Sequence, residues 1–155
     1  MSTDLTALEA RLRRLEDIEE ITRLVASYGP AVDAGLADDV AGLWTEDGVY
    51  DVDEMFMGDQ AAIHAMVGSD AHQGLIGNGC THFLGPVRVD VDGDDAVAVC
   101  HSILVAYYKE RYVVARSGAN RWRLRRTPDG WRAVHRTTRA LNGDAEARAL
   151  LGPAD

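Results

Sequence analysis

The stretch THFLGPVRVDVDGDDAVAVCHSILVAYYKE, Thr81–Glu110, decides the fold. Two apolar-alternating runs flank Asp92-Gly93-Asp94-Asp95, a turn composition, so the stretch reads as an antiparallel hairpin. Val87, Val89 and Val91 form one apolar face. Strict alternation would put His82 on the opposite face, with Arg88 and Asp90. Gly85-Pro86 interrupts the run, however, and a bulge there shifts the alternation by one residue. With that shift His82 joins the valine face. Folding about Gly93 sets His82 across from Leu104 and His101 across from Gly85.

Outward from the hairpin the chain divides into two halves. Downstream, RYVVARSGANRWRLRRT (residues 111–127) and GWRAVHRTTRAL (residues 130–141) read as two further strands. Pro128-Asp129-Gly130 supplies the turn between them. The tail GDAEARALLG reads as a short helix or a frayed end. Upstream, Leu5, Leu8, Leu12, Leu15, Ile18, Ile21, Leu24, Val25 and Tyr28 recur at spacings of three and four, which predicts a long helix. Thr3 or Asp4 could cap its start. ADDVAGLW (residues 37–44) reads as a second, short helix and DGVYDV as a turn into a strand. GDQAAIHAMV reads as a third helix capped by Asp59. The glycine-rich QGLIGNGC reads as a loop. Helices first and antiparallel strands after make an α+β fold with helices on one face of a sheet. At 155 residues the expectation is one domain, residues 1–155, large enough for a core without disulfide or metal staples.

Composition removes several function classes. The 46% apolar and 26% charged fractions are those of a globular protein, and the net charge of −9 argues against a general nucleic-acid binder. Arg121, Arg123, Arg125 and Arg126 alternate with Trp122 and Leu124, as one polar face of a strand does; this strand is a candidate subunit interface. No signal-peptide core and no run of about 18 apolar residues occurs, so neither export nor a membrane span is expected. Cys80 and Cys100 fit no metal spacing, and a reducing cytoplasm is the expected compartment. HExxH, GxSxG, a P-loop and a post-strand GxGxxG are all missing, so no metal and no cofactor is expected.

What remains is acid–base chemistry by side chains. His82 and His101 both fall on apolar faces, His101 with Val97, Val99, Ile103, Val105 and Tyr107. A histidine so placed is more often a core residue than a catalyst. His64, His72 and His135 sit in a mixed helix, a loop and an arginine-rich strand. In SYGPAVDAG, Ser27–Gly35, Pro30 interrupts the helical pattern and Asp33 falls outside the buried arc. Periodicity makes Asp33 a solvated helix end, and Pro30 and Gly35 make that angle uncertain. A histidine oriented by a carboxylate takes a proton near neutral pH, and a tyrosine can polarise a substrate oxygen. Tyr28, Tyr50 and Tyr107 are available for the second task.

IEEITRLVASYGPAVDAGLADDVAGLWTEDGVYDV, THFLGPVRVDVDGDDAVAVCHSILV and DGWRAVHRTTRAL, in that order, resemble the SnoaL-like branch of the nuclear transport factor 2-like superfamily. The resemblance spans about Ile18 to Leu141. It implies a cone-shaped α+β barrel, with N-terminal helices packed on a strongly bent mixed, mostly antiparallel sheet and a pocket at the open end. The nearest likeness is to the scytalone dehydratase, bile-acid dehydratase and lindane dehydrochlorinase group. There an aspartate at the end of the first long helix pairs with the histidine of a segment similar to HFLG, which implies Asp33 with His82. The same likeness implies Tyr28 as a third catalytic residue and Tyr50 on the first strand as a substrate-binding one. Tyr107 stands where scytalone dehydratase has a further histidine, His101 lies elsewhere, and Arg139 is the nearest match to a C-terminal-strand arginine. The activity so implied is a cofactor-independent lyase or isomerase acting on a small hydrophobic, cyclic or carbonyl-bearing substrate. A non-catalytic binding module and a polyketide cyclase-like enzyme are the alternatives. A homo-oligomer is also implied, a trimer before a dimer.

Overall fold

The computed structural model describes residues 4–153. Helix α1, Leu5–Asp33, starts at Asp4, whose carboxylate accepts from the backbone N–H groups of Thr6 and Ala7. Thr3, the other candidate cap, lies outside the described residues. Ile21, Leu24, Val25, Tyr28 and Val32 are buried, as the periodicity requires. Leu5, Leu8, Leu12 and Leu15 belong to the same pattern but are exposed, on turns that extend past the core. Asp17 marks where burial begins: it accepts from Arg126 Nη1 and Nη2 at 2.7 and 2.8 Å and from the Trp131 indole at 3.0 Å. The Arg126 hydrogen bond, more than any other contact, holds the Asp17 carboxyl below its usual range.

Gly35, with φ of +69°, ends this run, and α2, Ala37–Ala41, follows. Then come β1 (Trp44–Val52), β2 (Met55–Met57), α3 (Gln60–Gly68) and α4 (Asp70–Asn78). Asp59 caps α3 through the Ala62 N–H at 2.7 Å. The expected loop at QGLIGNGC is instead the end of α4. Ser69 caps that helix by accepting from the His72 N–H, and this local cap outweighs the weak helix propensity of Gly74 and Gly77.

The second half is sheet: β3 (Cys80–Leu84), β4 (Arg88–Asp92), β5 (Asp95–Tyr108), β6 (Arg111–Thr127) and β7 (Gly130–Ala140), then α5 (Ala145–Ala149). The order is β2-β1-β7-β6-β5-β3, with β4 also paired to β5; all pairings are antiparallel except β1 with β7. The result is an open, mixed, mostly antiparallel sheet with the helices against it, consistent with a cone-shaped α+β fold. Trp44, Trp122 and Trp131 are fully buried, and Trp44 and Trp122 lie 5.4 Å apart between ring centroids.

β3 and β4 share one edge of β5. Leu84 pairs with Ser102 and Arg88 with Val99, so Gly85, Pro86 and Val87 face only Cys100 and His101. That is the bulge the sequence predicts. It lets Cys80, His82 and Leu84 share a face with Val89 and Val91 despite the change from even to odd numbers. His82 pairs with Leu104, as the hairpin count requires.

Candidate active site

The C-terminal half of α1, helices α3 and α4, and the concave face of the sheet enclose a cavity of about 350 Å³. Its walls are mainly apolar: Val52, Met57, Met66, Leu75, Leu84 and Leu104 contribute. Polar groups enter at a few points, among them Tyr28, Tyr50, His72, His82, Ser102, Arg116 and Arg136.

His82 reaches the cavity from the middle of β3. Its Nδ1 lies 2.5 Å from Asp33 Oδ1, and its own backbone N–H donates to Asp33 Oδ2 at 2.8 Å. A carboxylate only accepts, so Nδ1 carries the proton and Nε2 is left with a free lone pair. Both oxygens of Asp33 are thus held by the residue they orient. Each side chain of the pair is 21% exposed, enough for substrate access and too little for free solvation. Burial, the largest influence, lowers the His82 imidazole below its ordinary pKa, against the raising pull of Asp33. His82 is therefore neutral at neutral pH.

Gly29 makes this approach possible. It is buried in α1, and a Cβ built there would overlap the carbonyl oxygen of His82. The α1 backbone and β3 touch at this point. Pro30 stays within the helix, Ala34 N–H still reaches Pro30 O at 3.0 Å, and Asp33 becomes its last residue. A helix terminus in contact with a strand has no ideal-wheel orientation, which is why Asp33 escapes the periodicity.

Tyr28 is buried beside the pair, its ring 6.4 Å from His82 and 6.0 Å from Tyr50, edge-on to both. Burial first, and Tyr50 second, push the Tyr28 phenol well above its ordinary pKa, so it is a hydroxyl donor rather than a phenolate. Cys80 Sγ donates to Asp33 Oδ1 at 3.6 Å, and burial followed by the Asp33 charge pushes this thiol up to about 11. Asp33, Cys80 and His82 bring one potential metal ligand each within 4.8 Å of one another. The carboxylate is also engaged by the His82 imidazole and backbone N–H, so a metal would have to displace hydrogen bonds already made.

Three expected site residues lie elsewhere. His101 is exposed, because β5 turns its even-numbered side chains, Ala96, Ala98 and Cys100, into the core and His101 to the other face. Tyr107 is 43% exposed and packs on Tyr112, with ring centroids 5.1 Å apart. Arg139 is bound to Asp51 at 2.8 Å and Glu146 at 2.8 Å, outside the cavity lining. On the strand expected at a subunit interface, the two faces divide as the alternation requires. Trp122 and Leu124 face the core, and Arg121 donates to the carbonyls of Leu150, Gly152 and Pro153.

Two cavity residues escape the sequence reading. His72 is buried and its Nε2–H donates to Val32 O at 2.9 Å; its ring lies 6.1 Å from that of His82. The Ser69 cap was its available signal. Arg136 is 2% exposed and lies over the rings of Tyr28, Tyr50 and Trp122 at 4.1, 4.4 and 4.2 Å. Nothing in WRAVHRTTRAL separates it from its half-buried neighbours Arg132 and Arg139.

Residues 13–137 match the family model of the SnoaL-like domain. A nuclear transport factor 2-like protein with a cystatin-like fold from Novosphingobium aromaticivorans is 48% identical, with a TM-score of 0.96 over 99% of this chain and 100% of that one. A candidate scytalone dehydratase from the same organism shares the fold at 16% identity, with a TM-score of 0.67 over 82% of this chain and 85% of its own. A Catenulispora acidiphila protein, solved in complex with S-DNPA, shares it at 18% identity and a TM-score of 0.67, over 81% of this chain and 93% of its own. No curated protein matches the chain by sequence. Among the described residues, no helix is long and apolar enough to cross a membrane.

Proposed function

This chain belongs to the SnoaL-like domain family, and on that premise we propose that it is a cofactor-independent lyase or isomerase of the dehydratase type. The observation that carries the reading is the 2.5 Å contact between His82 Nδ1 and Asp33 beside an apolar cavity, with Nε2 left free. In this reading Nε2 takes a proton from a carbon next to an electron-withdrawing group. Asp33 fixes the tautomer and stabilises the imidazolium that forms. Tyr28 lies beside both His82 and Tyr50, and both tyrosines line the cavity, where they can polarise or protonate a substrate oxygen. A β-leaving group then departs, or the proton returns to another carbon. A pair sealed in the core would favour a non-catalytic binding module; a part-exposed pair whose histidine lines the cavity supports catalysis.

The first half-reaction can be tested without knowing the leaving group. Incubation of the protein with tetralone or cyclohexenone in D₂O should wash deuterium into the α position faster than buffer does, read by NMR. Buffer-level exchange across such ketones would remove the reading. The lowered His82 basicity sets the pH profile: a base must be unprotonated, so activity rises with pH on the acid side. The midpoint is expected below the ordinary imidazole value of about 6.5, followed by a plateau through neutrality. An acid limb centred above about 7 would contradict the assignment of His82 as the base.

The protein is also proposed to be a homo-oligomer, with a trimer favoured. Phe83, Ile103, Tyr112 and Val114 on β3, β5 and β6 are exposed apolar residues clustered at one end of the sheet, which supports burial against further copies. Sedimentation should give a mass two or three times 16.9 kDa, and Val114→Glu should reduce it. A wild-type monomer at micromolar concentration would exclude the proposal.

A further inference from the structure

We infer that Arg136 is the anion-binding end of the cavity, and that the natural ligand carries a carboxylate on an otherwise apolar body. The inference builds on the reading of this cavity as the active site, but not on the chemistry assigned to His82. Among the described residues, two buried side-chain nitrogens lack a hydrogen-bond partner, Trp122 Nε1 and Arg136 Nη1. Only Arg136 lines the cavity.

The rest of the guanidinium is accounted for. Nε and Nη2 both donate to Asn120 Oδ1, at 3.2 and 2.7 Å, and that oxygen also accepts from Thr138 Oγ1 at 2.8 Å. Asn120 Nδ2 in turn donates to Ser102 Oγ at 2.8 Å. This network fixes the fork but contributes no negative charge. Arg116, the other arginine on the lining, contrasts with it: its charge is met by Asp53 at 2.7 Å. No carboxylate pairs with Arg136 among the described residues. Three aromatic faces attract the cation without neutralising it.

A guanidinium cannot shed its proton, and an unpaired buried charge is costly. Arg136 itself lines the cavity, and the cavity is where a ligand can meet its unpaired charge. A neutral carbonyl would satisfy the hydrogen bond but leave the charge; a carboxylate satisfies both. Proton transfer to His82 would add a second positive charge beside Tyr28, with Asp33 as the only carboxylate in contact with His82 among the described residues. A ligand anion would balance that state as well. The chain as a whole is acidic, at −9, so the preference would arise at this arginine and not from the general field.

The test is calorimetric titration of the full chain with benzoate and with benzamide, equal in shape and different in charge, near neutral pH. Wild-type protein should bind benzoate about tenfold or more tightly than benzamide. Arg136→Met should keep the benzamide affinity and lose the preference, with its fold checked by thermal melting. His82→Ala should retain the preference, so failure of the acid–base reading and failure of this one are separable. Equal affinity of the two probes for wild-type protein, binding of neither at millimolar concentration, or a preference that survives in Arg136→Met would each overturn the inference. The wild-type comparison decides even if the variant does not fold.

Discussion

Deuterium exchange into a cyclic ketone is expected to fall about 10²- to 10⁴-fold in His82→Ala, the range that general acid–base catalysis contributes. The melting temperature should change little, since the imidazole is part-exposed and makes one side-chain hydrogen bond, to Asp33. Asp33→Asn is expected to lose a similar factor by a different route. An amide at that position can offer its NH₂ to Nδ1, which inverts the tautomer and places the proton on Nε2, where the base is needed. The backbone N–H of His82 can still donate to the amide oxygen, so the α1–β3 contact survives. The two variants then differ in their pH profiles: the residual rate of His82→Ala loses the acid limb. Exchange at wild-type rate in either folded variant would remove the pair from the mechanism.

Gly29→Ala is expected to have the largest effect of any single methyl group added to the molecule. A methyl on α1 at that point overlaps the His82 carbonyl oxygen, which is backbone and cannot rotate away. Either α1 or β3 must move. Overpacking of a close-packed site costs about 1–3 kcal/mol, set against a gain of up to about 1 kcal/mol in helix propensity. The displacement also lengthens the Asp33–His82 contact, so activity should fall further than stability. Thermal melting together with the exchange assay separates the two. A variant that melts at or above the wild-type temperature with full exchange would show that the close approach is dispensable. Gly68→Ala is the matched control, because nothing lies near its added carbon.

The bulge at Gly85-Pro86, the hairpin register and the inward side of His82 were legible because glycine, proline and alternating valines carry local signals. The outward side of His101 was not, although the pairing of inward His82 with Leu104 implies it. Val97 and Val99 made the odd face of β5 look buried. Val99 is indeed buried, but on the face where Arg121 holds the C-terminal segment, and Ile103 is apolar and exposed. Apolar residues on both faces of one strand defeat a reading by alternation. Asp33 was legible only through family resemblance, since its position depends on a missing Cβ four residues earlier. That glycine, in the interior of a long helix, was a signal in plain view. Arg136 needed the three-dimensional fold. Its strand carries arginines at 132, 136 and 139, and only the pairing with Trp122 on β6 places one of them in the core.

The three-against-two mismatch between residues 85–87 and 100–101 works as a change of reading frame within one sheet edge. Upstream of it the even positions, Cys80, His82 and Leu84, meet the cavity side; downstream the odd positions, Val89 and Val91, meet the core. The two segments are therefore separate compartments for sequence change. Substitutions at Thr81–Leu84 can retune the site without rephasing the valines that anchor β4. A one-residue deletion at Gly85–Val87 would force a single frame on both, and one of the two segments would have to turn its inward side chains to solvent.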